Sequence, residues 1–164
     1  MKTLLILRHA KSSWASPTIA DHDRPLNARG NADAPRIGEL IKNQDLIPDL
    51  ILCSTAKRAH KTADKVAHNC GYEGEVMRVG ELYLATTDIY LKVLSELEDD
   101  HSRVMVVGHN PGLEDLSETL TGQFETLPTA ALVQTSLAIE HWHELDKSVE
   151  GKLVNIWRPR ELSD

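Results

Sequence analysis

The chain has 164 residues, 41% of them hydrophobic and 26% charged. That is enough to bury the core of one domain, 1–164, since single domains run to ~100–200 residues. Its 18 Lys and Arg stand against 25 Asp and Glu, a net charge of −7 with histidine neutral. A broad nucleic-acid or anionic-membrane surface wants the opposite sign, so neither partner is expected and any anion site must be assembled locally. Aromatic residues, at 4%, leave little for base stacking. Cys53 and Cys70 sit in no CxxC or CxxH pair, which argues against a disulfide framework and a structural zinc centre. The first apolar run is cut by Arg8 and His9 with no cleavage site after it, and no stretch approaches the ~20 apolar residues of a membrane span. A soluble, cytoplasmic protein is expected.

In chain order, residues 3–7 form a short apolar run that predicts a strand buried on both faces. Ile37, Leu40 and Ile41 recur at helical spacing, with Asn27 as a candidate cap and Pro35 as a point where the helix starts late or kinks. Residues 50–53 predict a second strand. Ala59, Ala63, Val66 and Cys70 predict a second helix with one apolar stripe. Ile89, Leu91, Val93, Leu94 and Leu97 suggest a third. Residues 104–107 predict another buried strand, ending in Gly108. Leu113, Leu116 and Leu120 mark a fourth helix, opened by Asn110 as cap and Pro111 in its first turn and closed by Gly122. Residues 131–140 and 152–157 look like two further strands around a polar turn at Glu150 and Gly151. Alternating strands and helices predict an α/β fold: a three-layer αβα sandwich whose mostly parallel central sheet has antiparallel C-terminal edge strands.

No GxGxxG or GxxxxGK[ST] follows the first strand. Arg8 and His9 follow it instead. The second strand runs into Ser54 and Thr55 and then Arg58, and the next central strand into His109 and Asn110. Open α/β sheets bind ligands outside the carboxyl ends of their strands. Each of these groups alone reads as an ordinary surface or turn residue. Three strand ends carrying the same kind of group point to one anion pocket, formed by two guanidiniums, two imidazoles and helix N-termini, and suited to phosphate. Asp21, Asp23 and Arg24 read as an exposed loop ion pair. His22, His60, His68 and His101 read as surface residues. His141 and His143 alternate as on one strand face, but lack a third metal ligand nearby.

These residues carry a resemblance. Leu7-Arg8-His9-Ala10-Lys11-Ser12 resembles the RHG motif of the histidine phosphatase superfamily, of phosphoglycerate-mutase-like fold. Ser54-Thr55-Ala56-Lys57-Arg58-Ala59-His60-Lys61-Thr62-Ala63 is similar to its SPxxRAxxTA motif, and Gly108-His109-Asn110 to its second-histidine motif. Asp23-Arg24-Pro25-Leu26-Asn27-Ala28-Arg29-Gly30 resembles the RPLTxxG stretch of the short SixA-type phosphohistidine phosphatases. The four motifs occur in order over essentially the whole chain. Ala10 stands where the family has glycine, and Pro111 follows Asn110.

The resemblance implies a metal-independent phosphatase with no cofactor. His9 is then the nucleophile, forming a phosphohistidine intermediate. Arg8, Arg58 and His109 stabilise the transferring group, with Ser12 and Asn110 as further phosphate ligands. Glu81, in Gly80-Glu81-Leu82, matches the usual position of a general acid. The neighbouring cations are expected to keep His9 neutral. The implied substrate is a phosphohistidine on a protein. The alternatives are a small phosphorylated metabolite or a catalytically silent phosphate- or phosphoprotein-binding module.

Overall fold

The computed structural model describes residues 1–162. Its first strand, β1 (Lys2–Arg8), turns Leu4 and Ile6 to one side and Leu5 and Leu7 to the other, all of them fully buried. A strand can do this only where both faces of its sheet are covered. β2 (Leu50–Ser54) and β4 (Arg103–Gly108) repeat the pattern: Leu52 and Val106 face one way, Ile51 and Met105 the other. With β3 (Val76–Val79), β5 (Leu132–Leu137) and β6 (Gly151–Trp157) they form one sheet in the order β3-β2-β4-β1-β5-β6. The first four are parallel, while β5 runs antiparallel to β1, and β6 to β5. Helices α1 (Ala28–Asn43) and α2 (Lys57–Cys70) cover one face through Ile37, Ile41, Ala63 and Val66. Helices α3 (Thr87–Ser95) and α4 (Gly112–Thr121) cover the other through Tyr90, Leu94, Leu116 and Leu120. This is the predicted three-layer αβα sandwich. Among the described residues, no helix is long and apolar enough to cross a membrane.

Register positions the chemistry. Arg8 lies opposite Gly108, Cys53 opposite Val107, and Ser54 opposite Val79, so the parallel strands end along one edge. The residues that follow them share that edge.

The helix termini are built locally. Asn27 Oδ1 accepts the Gly30 N–H at 2.9 Å, capping α1, and the helix runs on through Pro35. α4 ends at Gly122, whose φ of 74° is the left-handed turn that favours glycine. Gly30 answers a different need. A Cβ there would stand 2.1 Å from the backbone oxygen of Lys11, which also accepts the Asn27 N–H at 3.0 Å. Ser12 bridges Leu26 beside it, so the close approach ties the loop after β1 to the start of α1. Gly30→Ala should cost about 1–3 kcal/mol, as overpacking does. Denaturant unfolding measures this, and an unchanged midpoint would mean that the Lys11 loop yields freely.

Three expectations need correction, and one strand was not among the expectations. β3 gives no sequence signal, because it is a four-residue edge strand with Met77 and Arg78 exposed. The strand expected over 131–140 stops at Leu137. His141-Trp142-His143 is not a strand: Trp142–Glu144 is a 3-10 turn that buries Trp142 completely. The Trp142 Nε1–H donates to the His101 oxygen at 2.7 Å, and the His141 and His143 rings stack with centroids 5.3 Å apart. Asn110 does not cap α4, because its side-chain amide donates to the Leu127 oxygen at 2.8 Å and the helix begins at Gly112.

Candidate active site

Arg8 ends β1, and its Nη1 donates to the Leu127 oxygen at 3.0 Å. His9 follows, buried, with its backbone N–H on the Gly108 oxygen at 3.1 Å. The imidazole Nδ1 lies 2.8 Å from the Ala10 oxygen. A carbonyl can only accept, so Nδ1 carries the proton and Nε2 keeps its lone pair. The next link explains a spacing in the sequence. Ala10 N–H donates to Thr62 Oγ1 at 3.0 Å, and Thr62 Oγ1 donates to the Arg58 oxygen at 2.7 Å. Thr62 lies one helical turn beyond Arg58, so this hydroxyl joins the nucleophile loop to the turn that carries Arg58. Ala10 is not among the positive-φ residues, so alanine fits where the family has glycine.

Arg58 occupies the second position of α2 and is buried. Its Nη1 donates to the Asp21 oxygen at 2.7 Å and its Nη2 to Asp21 Oδ2 at 3.0 Å. Asp21 also accepts from Tyr83 Oη and, at 3.2 Å, from Arg24 Nε. The Tyr83 hydroxyl, with the Arg58 guanidinium, holds its carboxyl down at about 2, so Asp21 is an ionised anchor and no proton donor. Arg24 is fixed on its other side by Ser12, donating from Nη1 to Oγ at 2.8 Å, and stacks 3.5 Å above the Trp14 ring.

His109 follows β4, with its ring centroid 5.2 Å from that of His9. Its Nε2 lies 2.8 Å from Ser54 Oγ. Ser54 Oγ already accepts the Ala56 N–H at 3.1 Å. When the Ser54 hydroxyl donates to Nε2, His109 is protonated at Nδ1, a buried atom with no partner among the described residues. Nδ1–H is then a donor whose hydrogen bond is unmet among the described residues, in a ring that lines the pocket.

Arg8, His9, Arg58 and His109 line one cavity of about 220 Å³ together with Lys11, Ser12, Arg24 and Asn110. Four cationic side chains and two imidazoles face it, and no carboxylate lines it among the described residues. Nor do the described residues hold a group of three or more His, Cys, Asp and Glu side chains able to bind a metal ion. Burial pushes His9 down to about 3 and His109 down to about 4, with Arg58 and Arg8 adding to the effect on both. Desolvation therefore outweighs the like-charge effect anticipated from sequence. Both rings are neutral in the folded state near pH 7. They bind protons on unfolding below the ordinary histidine value of 6.5, so their contribution to stability is complete above 6.5 and is lost as pH falls towards 3. For His9 alone the loss between pH 7 and 5 is about 2 kcal/mol, at 1.36 kcal/mol per pH unit below that value. Urea midpoints at the two pH values should fall further apart in the native protein than in His9→Ala.

Glu81 is the one sequence-derived candidate that stays outside. It lies in the 3-10 turn Gly80–Leu82, exposed, with its carboxylate 3.6 Å from Lys92 Nζ. The same turn delivers Tyr83 to Asp21 and Leu84 to the pocket rim. Sequence reasoning also missed Asp21 and Arg24 as site residues. Their signal was position: Arg24 opens the RPL stretch and Asp21 stands three residues before it, where an exposed carboxylate held by buried guanidiniums looks like any loop ion pair. Ser54 and Thr62 stood inside a quoted motif without a role.

An αβα sheet whose strand ends surround a neutral, tautomer-fixed imidazole with guanidiniums defines an oxyanion site with a nucleophile in place. Comparison with known proteins agrees. The family model described as histidine phosphatase superfamily (branch 1) matches residues 4–82. An uncharacterised chloroplast protein of Arabidopsis thaliana is 34% identical over 144 residues, covering 81% of this chain and 66% of its own length. An uncharacterised Mycobacterium tuberculosis protein is 30% identical over 165 residues, covering 94% of this chain and 100% of its own. The SixA structure from Agrobacterium tumefaciens superposes with a TM-score of 0.83 at 29% identity, over 96% of this chain and 98% of that one. The chain belongs to the histidine phosphatase superfamily, in its SixA-type branch.

Proposed function

We propose that this protein hydrolyses phosphohistidine on other proteins through a phosphohistidine intermediate on His9. The observation that carries the reading is the pocket's make-up: a nucleophile and cations, with no carboxyl group among the described residues. His9 Nε2 attacks phosphorus in line. The P–N bond to the substrate histidine breaks, and its electron pair leaves with the ring. That ring carries a proton on its other nitrogen and departs as neutral imidazole, so no enzyme acid is needed. His9 is left phosphorylated on Nε2 with Nδ1–H on the Ala10 oxygen. Water then attacks phosphorus, the P–N bond to His9 breaks with its electron pair returning to Nε2, and both water protons leave on dihydrogen phosphate. Arg8 and Arg58 neutralise the equatorial oxygens throughout, and the neutral His109 ring stands beside them as a hydrogen-bond donor.

Pocket size supports a protein substrate. Sites that enclose a small molecule run to ~300–1,000 Å³, whereas this one has about 220 Å³. It accepts a phosphorylated side chain and leaves the rest of the substrate outside. The Agrobacterium protein, a candidate phosphohistidine phosphatase, is consistent with this activity. The test is a comparison of kcat/KM for a phosphohistidine protein with kcat/KM for a panel of phosphometabolites. A metabolite that exceeds every phosphohistidine protein overturns the substrate class.

A further inference from the structure

Beside the phosphate pocket lies a second cavity of about 500 Å³, lined by Arg8, Lys11, Arg29, Arg158, Arg160 and Glu161, among others. It shares Arg8, Lys11 and Thr129 with the first, so the two are separate cavities that adjoin along one edge. Five of the chain's 18 Lys and Arg converge here in a protein of charge −7. Part of that charge is balanced: Arg29 pairs with Asp33 at 3.4 Å, and Arg158 with Glu125 at 3.1 Å and Glu161 at 3.5 Å. Arg158 is also held by the Thr126 oxygen, which fixes it as part of the wall. Lys11 and Arg160 form no ion pair among the described residues, and both are exposed. The cations come from three separate stretches: Arg8 and Lys11 at the end of β1 and in the loop after it, Arg29 in the first turn of α1, and Arg158 and Arg160 at the start of and within the 3-10 turn Pro159–Glu161 that follows β6. Local sequence bias does not produce such a gathering.

We propose that this groove is a second anion subsite, which holds an acidic side chain of the protein substrate, Asp or Glu, next to its phosphohistidine. The inference rests on the phosphohistidine reading above and adds a specificity to it. A pocket that takes only the phosphorylated side chain leaves the flanking residues at its rim, and this is the part of the rim with uncompensated positive charge. Exposed charges of this kind act weakly one by one and are screened by salt, so the preference is modest and salt-dependent.

The test uses two peptides carrying a non-hydrolysable phosphonate analogue of phosphohistidine. One has Glu at the flanking positions and the other has Gln. Binding is read by fluorescence anisotropy at about 50 and 500 mM salt, below and above the regime in which surface charges are screened. The full-length protein should bind the Glu peptide about five- to tenfold more tightly at low salt, and the difference should shrink at high salt. Arg160→Gln should reduce the preference and Arg160→Glu should abolish or reverse it, with the Gln peptide bound as before. Arg160 is exposed and makes no contact in the phosphate pocket, so both variants should fold. Equal binding of the two peptides by the native protein, or equal weakening of both in Arg160→Glu, overturns the subsite. Hydrolysis of phosphoramidate, which has no flanking groups, is measured alongside. It should stay within about twofold in Arg160→Glu, as for a surface change remote from the reacting atoms. Its absence in the native protein overturns the phosphatase reading instead, and the peptide comparison still decides the groove.

Discussion

His9→Ala is expected to lower turnover of a phosphohistidine protein by at least about 10⁴-fold, the scale of losing a covalent nucleophile. The fold should persist. His9 closes no core contact comparable to Leu5 or Leu7, and its one polar side-chain partner, the Ala10 oxygen, sits in a loop held independently through Thr62. Arg8, Arg58 and His109 remain in the variant, so phosphate should still bind while transfer stops. Incubation of the native protein with labelled substrate should trap label on one histidine, labile to acid and stable to alkali. His9→Ala should trap none. Activity within about tenfold of native would remove His9 as nucleophile and leave the cations as a binding site alone.

How much of this was legible in the sequence depends on what each residue depends on. Arg8, His9, Arg58 and His109 were readable because each directly follows a buried apolar run or falls in the first turn after one, and a parallel sheet brings such ends together. Glu81 shows the limit of that logic. It was placed by its position in the chain alone, but in a 3-10 turn a shift of two residues turns the side chain away, and Tyr83 reaches Asp21 instead. Asp21 looked like one half of an exposed ion pair because nothing local says that its partner, Arg58, is buried 37 residues away. β3 has no apolar run to read, since an edge strand buries little. Trp142 overrode an alternating pattern because burying an indole with its N–H satisfied outweighs extending a strand by a few residues. The basic groove was invisible for a related reason: Arg158 and Arg160 stand about 150 positions from Arg8, and only the return of β5 and β6 beside β1 sets them together.

The missing acid gives the second large prediction, a discrimination between leaving groups. A positioned general acid contributes typically 10²–10⁴-fold, and it matters most where the leaving group is a poor one. An alkoxide leaving from a sugar phosphate needs that proton; a protonated phosphoimidazole does not. With no carboxyl group lining the pocket among the described residues, and with Asp21 held ionised by Tyr83 and Arg58, phosphohistidine should exceed an alkyl phosphate in kcat/KM by about 10²-fold or more. Aryl phosphates should fall between, ordered by the acidity of the phenol, because the enzyme leaves the departing oxygen to carry its own charge. Glu81→Gln separates this account from the one drawn from sequence. Glu81 is exposed and pairs with Lys92, so its loss should change phosphohistidine and alkyl phosphate hydrolysis by less than about twofold each, as surface substitutions do. A selective loss of alkyl ester hydrolysis in Glu81→Gln would show that the turn Gly80–Leu82 rearranges to bring the carboxyl to the leaving oxygen. A flat dependence on leaving-group acidity in the native protein would show that a proton is supplied from elsewhere, and the preference for phosphohistidine would then need another cause.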